Sequence, residues 1–219
     1  MIIKFVRHGE TDANRQKILQ GQLDTQLNSL GRQQAEAVGI ALRNDPFTHA
    51  FSSDLERAKD TAAAILQYHE VSLTLMQTLR EKSFGDAEGH PWGTRVRTGG
   101  ETPGQFRKRV MGWWKENVPI LLASESVDGD PYVLVVGHGA FIRTMLDGLL
   151  SERGFSFQAS VGIGKIPNTG ISTVHVDAVN QGAILSCGDD THLKSGKDDI
   201  INQESLQESV DELALVNNV

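Results

Sequence analysis

Ile2-Ile3-Lys4-Phe5-Val6-Arg7-His8-Gly9 and Tyr132-Val133-Leu134-Val135-Val136-Gly137-His138-Gly139 are two short runs, almost wholly apolar and rich in β-branched residues, that each end at a His-Gly pair. Such continuous apolar runs suit strands covered on both faces of a parallel sheet. Helical patterns lie between and after them. One covers 29–44 behind Asn28, and another covers 53–68, with Leu55, Ala58, Ala62, Ile65 and Leu66 on one stripe. A third runs over 105–122, and a fourth, at 141–150, is entered directly from the second His-Gly pair. Ser53-Asp54-Leu55-Glu56 and Thr102-Pro103-Gly104-Gln105 both fit a capping box, the second with Pro at the first helical position. Further strands are expected at 47–52 and 72–76, and 171–176 with 183–187 reads as a terminal hairpin on the sheet edge. This β-α alternation predicts an α/β three-layer sandwich with a mainly parallel central sheet, whose ligands collect beyond the carboxyl ends of the strands.

A chain of 219 residues with 39% hydrophobic content can bury one core and suits a single globular unit. Residues 1–195 are expected to form the catalytic domain and 196–219 an acidic tail. In that tail Ile201, Leu206, Val210 and Leu213 either line a docked helix or belong to a disordered end. The net charge of -7 disfavours nucleic acid and acidic membrane surfaces, and no run approaches the roughly 18 apolar residues of a membrane span. Lone Cys187 rules out an intramolecular disulfide and a multi-cysteine metal site, so a reducing, cytoplasmic setting is the expectation.

An Arg-His pair at the carboxyl end of a buried strand places a guanidinium beside an imidazole that is largely neutral at pH 7 and has a free lone pair. His8 can then act as a covalent nucleophile toward phosphorus, or simply cap its strand. His138 repeats the strand-His-Gly geometry, so both imidazoles can meet at one sheet edge. There His138 would stabilise the transition state, Gly139 would let backbone approach a ligand, and the following helix would offer N–H groups to an anion. Arg57, one turn into a helix and off its apolar stripe, can join Arg7 in a multidentate phosphate clamp, or form a surface salt bridge with Asp54 or Glu56. Glu81, between a strand and a Gly turn, can be aimed into a site and hold a proton for a leaving alkoxide, or remain a solvated loop residue.

Arg7-His8-Gly9-Glu10-Thr11 with Asn14, Ser52-Ser53-Asp54-Leu55-Glu56-Arg57-Ala58, Leu79-Arg80-Glu81 and Gly137-His138-Gly139 together resemble the histidine phosphatase (phosphoglycerate mutase-like) superfamily in residue type and order. The resemblance implies a phosphohistidine at His8, phosphate binding by Arg7, Asn14, Arg57 and His138, proton donation by Glu81, and substrate contacts from Gln20 and Gly21. It implies no metal and no cofactor. Ile18-Leu19-Gln20-Gly21-Gln22, the run from Phe47 to Leu55, Gly99-Gly100-Glu101-Thr102, Pro167-Asn168-Thr169-Gly170 and Asp190-Thr191-His192-Leu193 are similar to the TIGAR-type fructose-2,6-bisphosphatases. That branch implies bisphosphorylated substrates such as fructose 2,6-bisphosphate or 2,3-bisphosphoglycerate. Where mutases of the superfamily grip a glycerate, this chain has Phe84, Trp92 and scattered Arg95 and Arg97, which favours hydrolysis over transfer. A shorter segment before the second histidine implies a different lid from that of the animal enzymes.

The expected partner is therefore a small phosphorylated metabolite. Two alternatives stay open, a phosphoglycerate mutase and a non-catalytic protein-binding scaffold. Oligomeric state is not readable from the chain. Asp86, Glu88 and His90 read as an exposed polar loop rather than a metal site. Trp113 and Trp114 read as core and rim packing. Residues 88–100, rich in Gly and Arg, read as a surface loop near the site.

Overall fold

A computed structural model describes residues 1–94, 99–124, 129–151, 154–158 and 162–194. The two opening runs are β1 (Ile2–Arg7) and β4 (Tyr132–Gly137), and they lie side by side and parallel, with Arg7 opposite Gly137. This register delivers His8 and His138 to the same edge. Completing the sheet are β2 (His49–Ser53), β3 (Leu73–Met76), β5 (Phe155–Phe157), β6 (Ile171–Ala178) and β7 (Gln181–Asp189), in the order β3-β2-β4-β1-β6-β7-β5. From β3 to β1 all pairings are parallel, whereas β6 runs antiparallel to both β1 and β7. The mainly parallel sandwich expected from the alternation is the observed fold.

Alternate residues of the central strands feed two cores. Ile3, Phe5, Val133 and Val135 face α4 (Pro103–Ala123) and α5 (Gly139–Ser151), where Phe106, Val110, Phe141 and Met145 bury against them. Val6, Leu134 and Val136 face α2 (Ser29–Leu42) and α3 (Glu56–Leu66), meeting Val38, Leu42, Ala58, Ala62 and Ile65. Both faces are thus apolar because both are covered, which is why the strands read as continuous rather than alternating runs.

Several expectations need correction. Ser53 does not cap a helix but ends β2, and α3 starts at Glu56 behind Leu55, which makes no side-chain cap bond. The cause is competition: the Ser53 hydroxyl bonds His138 Nε2 at 2.9 Å, and Asp54 is held by Arg80 through bonds of 2.7 and 2.6 Å. The box at Thr102 does form, with Gln105 N–H donating to Thr102 Oγ1 at 3.2 Å and Thr102 N–H to Gln105 Oε1 at 2.9 Å. A second box, in which Thr11 and Asn14 cap the one-turn helix α1 (Asp12–Arg15), went unread in the sequence. The β6-β7 hairpin is not the sheet edge, because β5 pairs in parallel outside β7. Trp114 is not a rim residue: both Trp113 and Trp114 are 1% exposed, packed edge-on against Phe5 and Phe155 respectively. The tail from 196 onward, with Arg95 and Arg97, lies outside the described residues.

Candidate active site

His8 leaves β1 with its N–H donating to the Gly137 carbonyl at 2.9 Å, so the first histidine is fastened to the strand that carries the second. Gly9 then passes so close to α2 that a Cβ there would fall 2.4 Å from the Gly31 carbonyl oxygen, which explains the glycine. The Gly9 N–H is taken by Thr61 of α3 at 3.0 Å. The His8 ring bonds the Gly9 carbonyl through Nδ1 at 2.7 Å. A carbonyl can only accept, so Nδ1 carries the proton and Nε2 keeps the lone pair. Burial, then the nearby guanidinium groups of Arg57 and Arg7, hold this ring well below the usual histidine value, and it is neutral at pH 7.

His138 lies across the sheet edge with its ring centroid 5.3 Å from that of His8. It too is buried and neutral, held low first by burial and then by Arg57, His8 and Arg7. Its Nε2 meets the Ser53 hydroxyl. Its carbonyl accepts the Ile142 N–H, which starts α5.

Both arginines are buried and oriented by main-chain carbonyls. Arg7 donates through Nη1 to Ile166 at 2.8 Å. Arg57 donates to Leu23 at 2.7 Å and to Gly21 at 2.8 Å. The surface pairing considered for Arg57 is absent, since Asp54 bonds Arg80 and Glu56 bonds Lys59. The 20–25 loop named for substrate contact therefore also seats Arg57. Within it, Gln20 Oε1 accepts from the Thr11 and Thr25 hydroxyls at 3.0 and 2.5 Å, which directs its amide NH2 to other partners. Asn14 Oδ1 accepts from Thr11 N–H at 3.2 Å, leaving the Asn14 NH2 to donate. Gly21 adopts a φ of 50°, and a Cβ there would sit 2.3 Å from Glu88 Oε1.

Glu81 is buried, and both of its carboxyl oxygens are oriented by backbone donors: Lys82 N–H to Oε1 at 2.8 Å and Ala140 N–H to Oε2 at 3.0 Å. One of the first N–H groups of α5, expected to await an anion, is thus spent on Glu81. The Glu81 main chain is clamped as well. Arg109 of α4 donates to the carbonyls of Thr78, Arg80 and Glu81 at 2.9, 2.7 and 2.9 Å and to Glu101 through two bonds of 2.7 Å, which uses all five guanidinium donors. Glu101 also accepts the Ser83 N–H at 2.9 Å.

The fold therefore brings Arg7, His8, Asn14, Gln20, Gly21, Arg57, Glu81, His138 and Gly139 to the carboxyl edge of β1, β2 and β4. Ser53, Glu88, Glu101, Arg109, Asn168 and Thr169, which support them, were not singled out as site residues. Ser53, Glu101, Asn168 and Thr169 stand in runs that carry the resemblance, whereas Arg109 stands in none. Glu88 Oε1 accepts from Gln22 and Phe84 N–H at 3.1 and 2.9 Å and ties two loops together. Among the described residues no three His, Cys, Asp or Glu side chains gather as a metal site would, and no helix is long and apolar enough to cross a membrane.

Comparison with known proteins identifies the family. The family model of the histidine phosphatase superfamily (branch 1) matches residues 3–189. Fructose-2,6-bisphosphatase TIGAR of Xenopus tropicalis is 32% identical, over 78% of this chain and 84% of that protein. A mycobacterial glucosyl-3-phosphoglycerate phosphatase solved with VO3 is 26% identical with a TM-score of 0.68, covering 84% of this chain and 96% of that one. Phosphoglycerate mutase from Bacillus anthracis shares the fold, at a TM-score of 0.73 and 24% identity over 90% of this chain and 97% of its own. The family model spans most of the chain and the TIGAR relative matches over most of its length, so the chain belongs to the histidine phosphatase superfamily.

Proposed function

We propose that this chain hydrolyses small phosphorylated metabolites through a phosphohistidine at His8. The observation that carries the reading is the tautomer of His8, whose Nδ1–H is committed to Gly9 while a neutral Nε2 lone pair stands beside two guanidinium groups. Nε2 attacks phosphorus, the bond from phosphorus to the ester oxygen breaks, and Glu81 delivers a proton to the departing alkoxide. Water then attacks the phosphohistidine, Glu81 takes its proton back, and the P–N bond breaks to release inorganic phosphate. Arg7, Arg57, the Asn14 NH2 and the N–H of neutral His138 bind the phosphoryl oxygens, with more strength as charge builds in the transition state. Gln20, through its NH2, and the backbone at Gly21 and Gly139 line the approach.

For substrate we favour sugar or glycerate bisphosphates such as fructose 2,6-bisphosphate, on the strength of the similarity to TIGAR. Hydrolysis is preferred to mutase transfer because in the sequence Phe84, Trp92 and scattered Arg95 and Arg97 replace the residues with which mutases of the superfamily grip a glycerate. The test is kinetic comparison of fructose 2,6-bisphosphate, 2,3-bisphosphoglycerate, other sugar phosphates and 3-phosphoglycerate, with trapping of an acid-labile, alkali-stable phosphoenzyme. The label is expected in the native chain and absent from His8→Ala. Full turnover by His8→Ala would overturn the mechanism, and isomerisation of 3-phosphoglycerate faster than phosphate release would replace it with a mutase.

A further inference from the structure

Residues 166–170 and 190–193 take no part in the chemistry proposed above, yet they meet behind the nucleophile. Thr169 has a φ of 57°, and with Lys17 it is one of two non-glycine residues at positive φ among the described residues. For a β-branched residue that conformation is strained and persists only when its surroundings impose it. Its result is specific. The Thr169 N–H points at the carbonyls of both Arg7 and His8, at 3.0 and 3.3 Å. Next to it, Asn168 Nδ2 donates to the His8 carbonyl at 2.9 Å, the Arg7 N–H returns to Gly170 at 3.2 Å, and Arg7 Nη1 reaches Ile166. This one turn thus fastens the main chain of the Arg7-His8 pair and the guanidinium of Arg7.

Behind the turn lies His192. Its Nε2 is 3.0 Å from the Thr169 hydroxyl, and it sits on a short 3-10 turn, Thr191–Leu193, that packs near α2. Thr169 itself is fully buried. The His8 carbonyl belongs to the peptide plane that leads into Gly9, and the Gly9 carbonyl fixes the His8 ring. We infer that His192 is a positioning residue for the nucleophile: through the Thr169 hydroxyl it holds the left-handed turn whose donors fix the Arg7 and His8 carbonyls. Released from His192, Thr169 relaxes toward ordinary φ, its N–H leaves both carbonyls, and His8 Nε2 loses its aim, while Arg57, seated on Leu23 and Gly21 outside this turn, still binds phosphate.

The kinetic consequence rests on His8 being the nucleophile, so the test has a second arm that does not. Full-length His192→Phe, His192→Gln and Thr169→Ala are compared with the native chain using p-nitrophenyl phosphate turnover and hydrogen exchange at the Thr169 amide. In His192→Phe, kcat is expected to fall on the order of tenfold with KM changed less than about twofold, as for a misaimed rather than a missing group. Its Thr169 amide should exchange on the order of tenfold faster. His192→Gln, which restores a polar atom near the Nε2 position, should recover most of both losses. Thr169→Ala should reproduce them, and should add little in the His192→Phe background. Thr169→Ala also keeps the test decisive if His192→Phe fails to fold. Unchanged exchange at Thr169 in His192→Phe, or equal damage in the Phe and Gln variants, overturns the inference. A native chain that forms no phosphoenzyme overturns the reading of His8 instead, and exchange then decides the clasp alone.

Discussion

Arg57 shows how much depends on one side chain and its shape. Its guanidinium grips the Leu23 and Gly21 carbonyls while facing the two histidines, and an ammonium cannot keep that planar fork. Arg57→Lys is expected to lower kcat/KM by roughly 10²-fold, about 3 kcal/mol of transition-state stabilisation, in steady-state assays. Lys82 poses the opposite case. It is 1% exposed, its Nζ has no hydrogen-bond partner among the described residues, and it lies 5.2 Å from the centroid of the Phe84 ring. Burial pulls this amine below its usual value, against the opposing pull of Glu101 and Glu81. A lysine so depressed binds its proton more weakly folded than unfolded, so its penalty is full at neutral pH and fades as pH climbs toward the ordinary value of 10.5. Lys82→Met should therefore raise stability by about 1–3 kcal/mol at pH 7, and by less near pH 10, in urea melts.

At the level of elements, the clamp from α4 onto the Glu81 segment makes a helix remote from the reacting atoms answerable for the acid. Arg109→Lys keeps charge but cannot span three carbonyls and a carboxylate. It is expected to lower kcat by roughly tenfold, with KM little altered. A change in KM alone would point to a general packing role. The same elements show what could be read from the chain beforehand. The β1 and β4 runs were legible because burial on both faces leaves no polar position to break them, and the α4 cap was legible because Thr102 and Gln105 need only each other. The start of α3 was not, because Ser53 is claimed by His138, far away in sequence. Nor was β5, whose three residues carry no period of their own. The nine proposed site residues stand in motifs that name them; Asn168 and Thr169 stand in a quoted run too, but their role, like that of Arg109, lies in contacts that exist only once the sheet has brought distant segments together.

For the molecule as a whole, two histidines kept neutral inside the fold couple its stability to acidity. Both are held well below 6.5 when folded and return toward that value when unfolded. The unfolded chain therefore takes up more protons below about pH 6.5, and native stability falls as pH drops through that range. Thermal melts at pH 7 and pH 5 should show a clear loss for the native chain and a smaller one for a His8→Asn, His138→Asn double variant. An equal loss in both would assign the acid sensitivity to other groups. The order of the sheet has a further consequence, for the growing chain on the ribosome. β1 is made before β4 and β6 and ends up between them, and the last residue of β6 is Ala178. Until synthesis has passed that point, an apolar strand waits with at least one edge unsealed, a non-local pairing of the kind that folds slowly and invites chaperones and premature association.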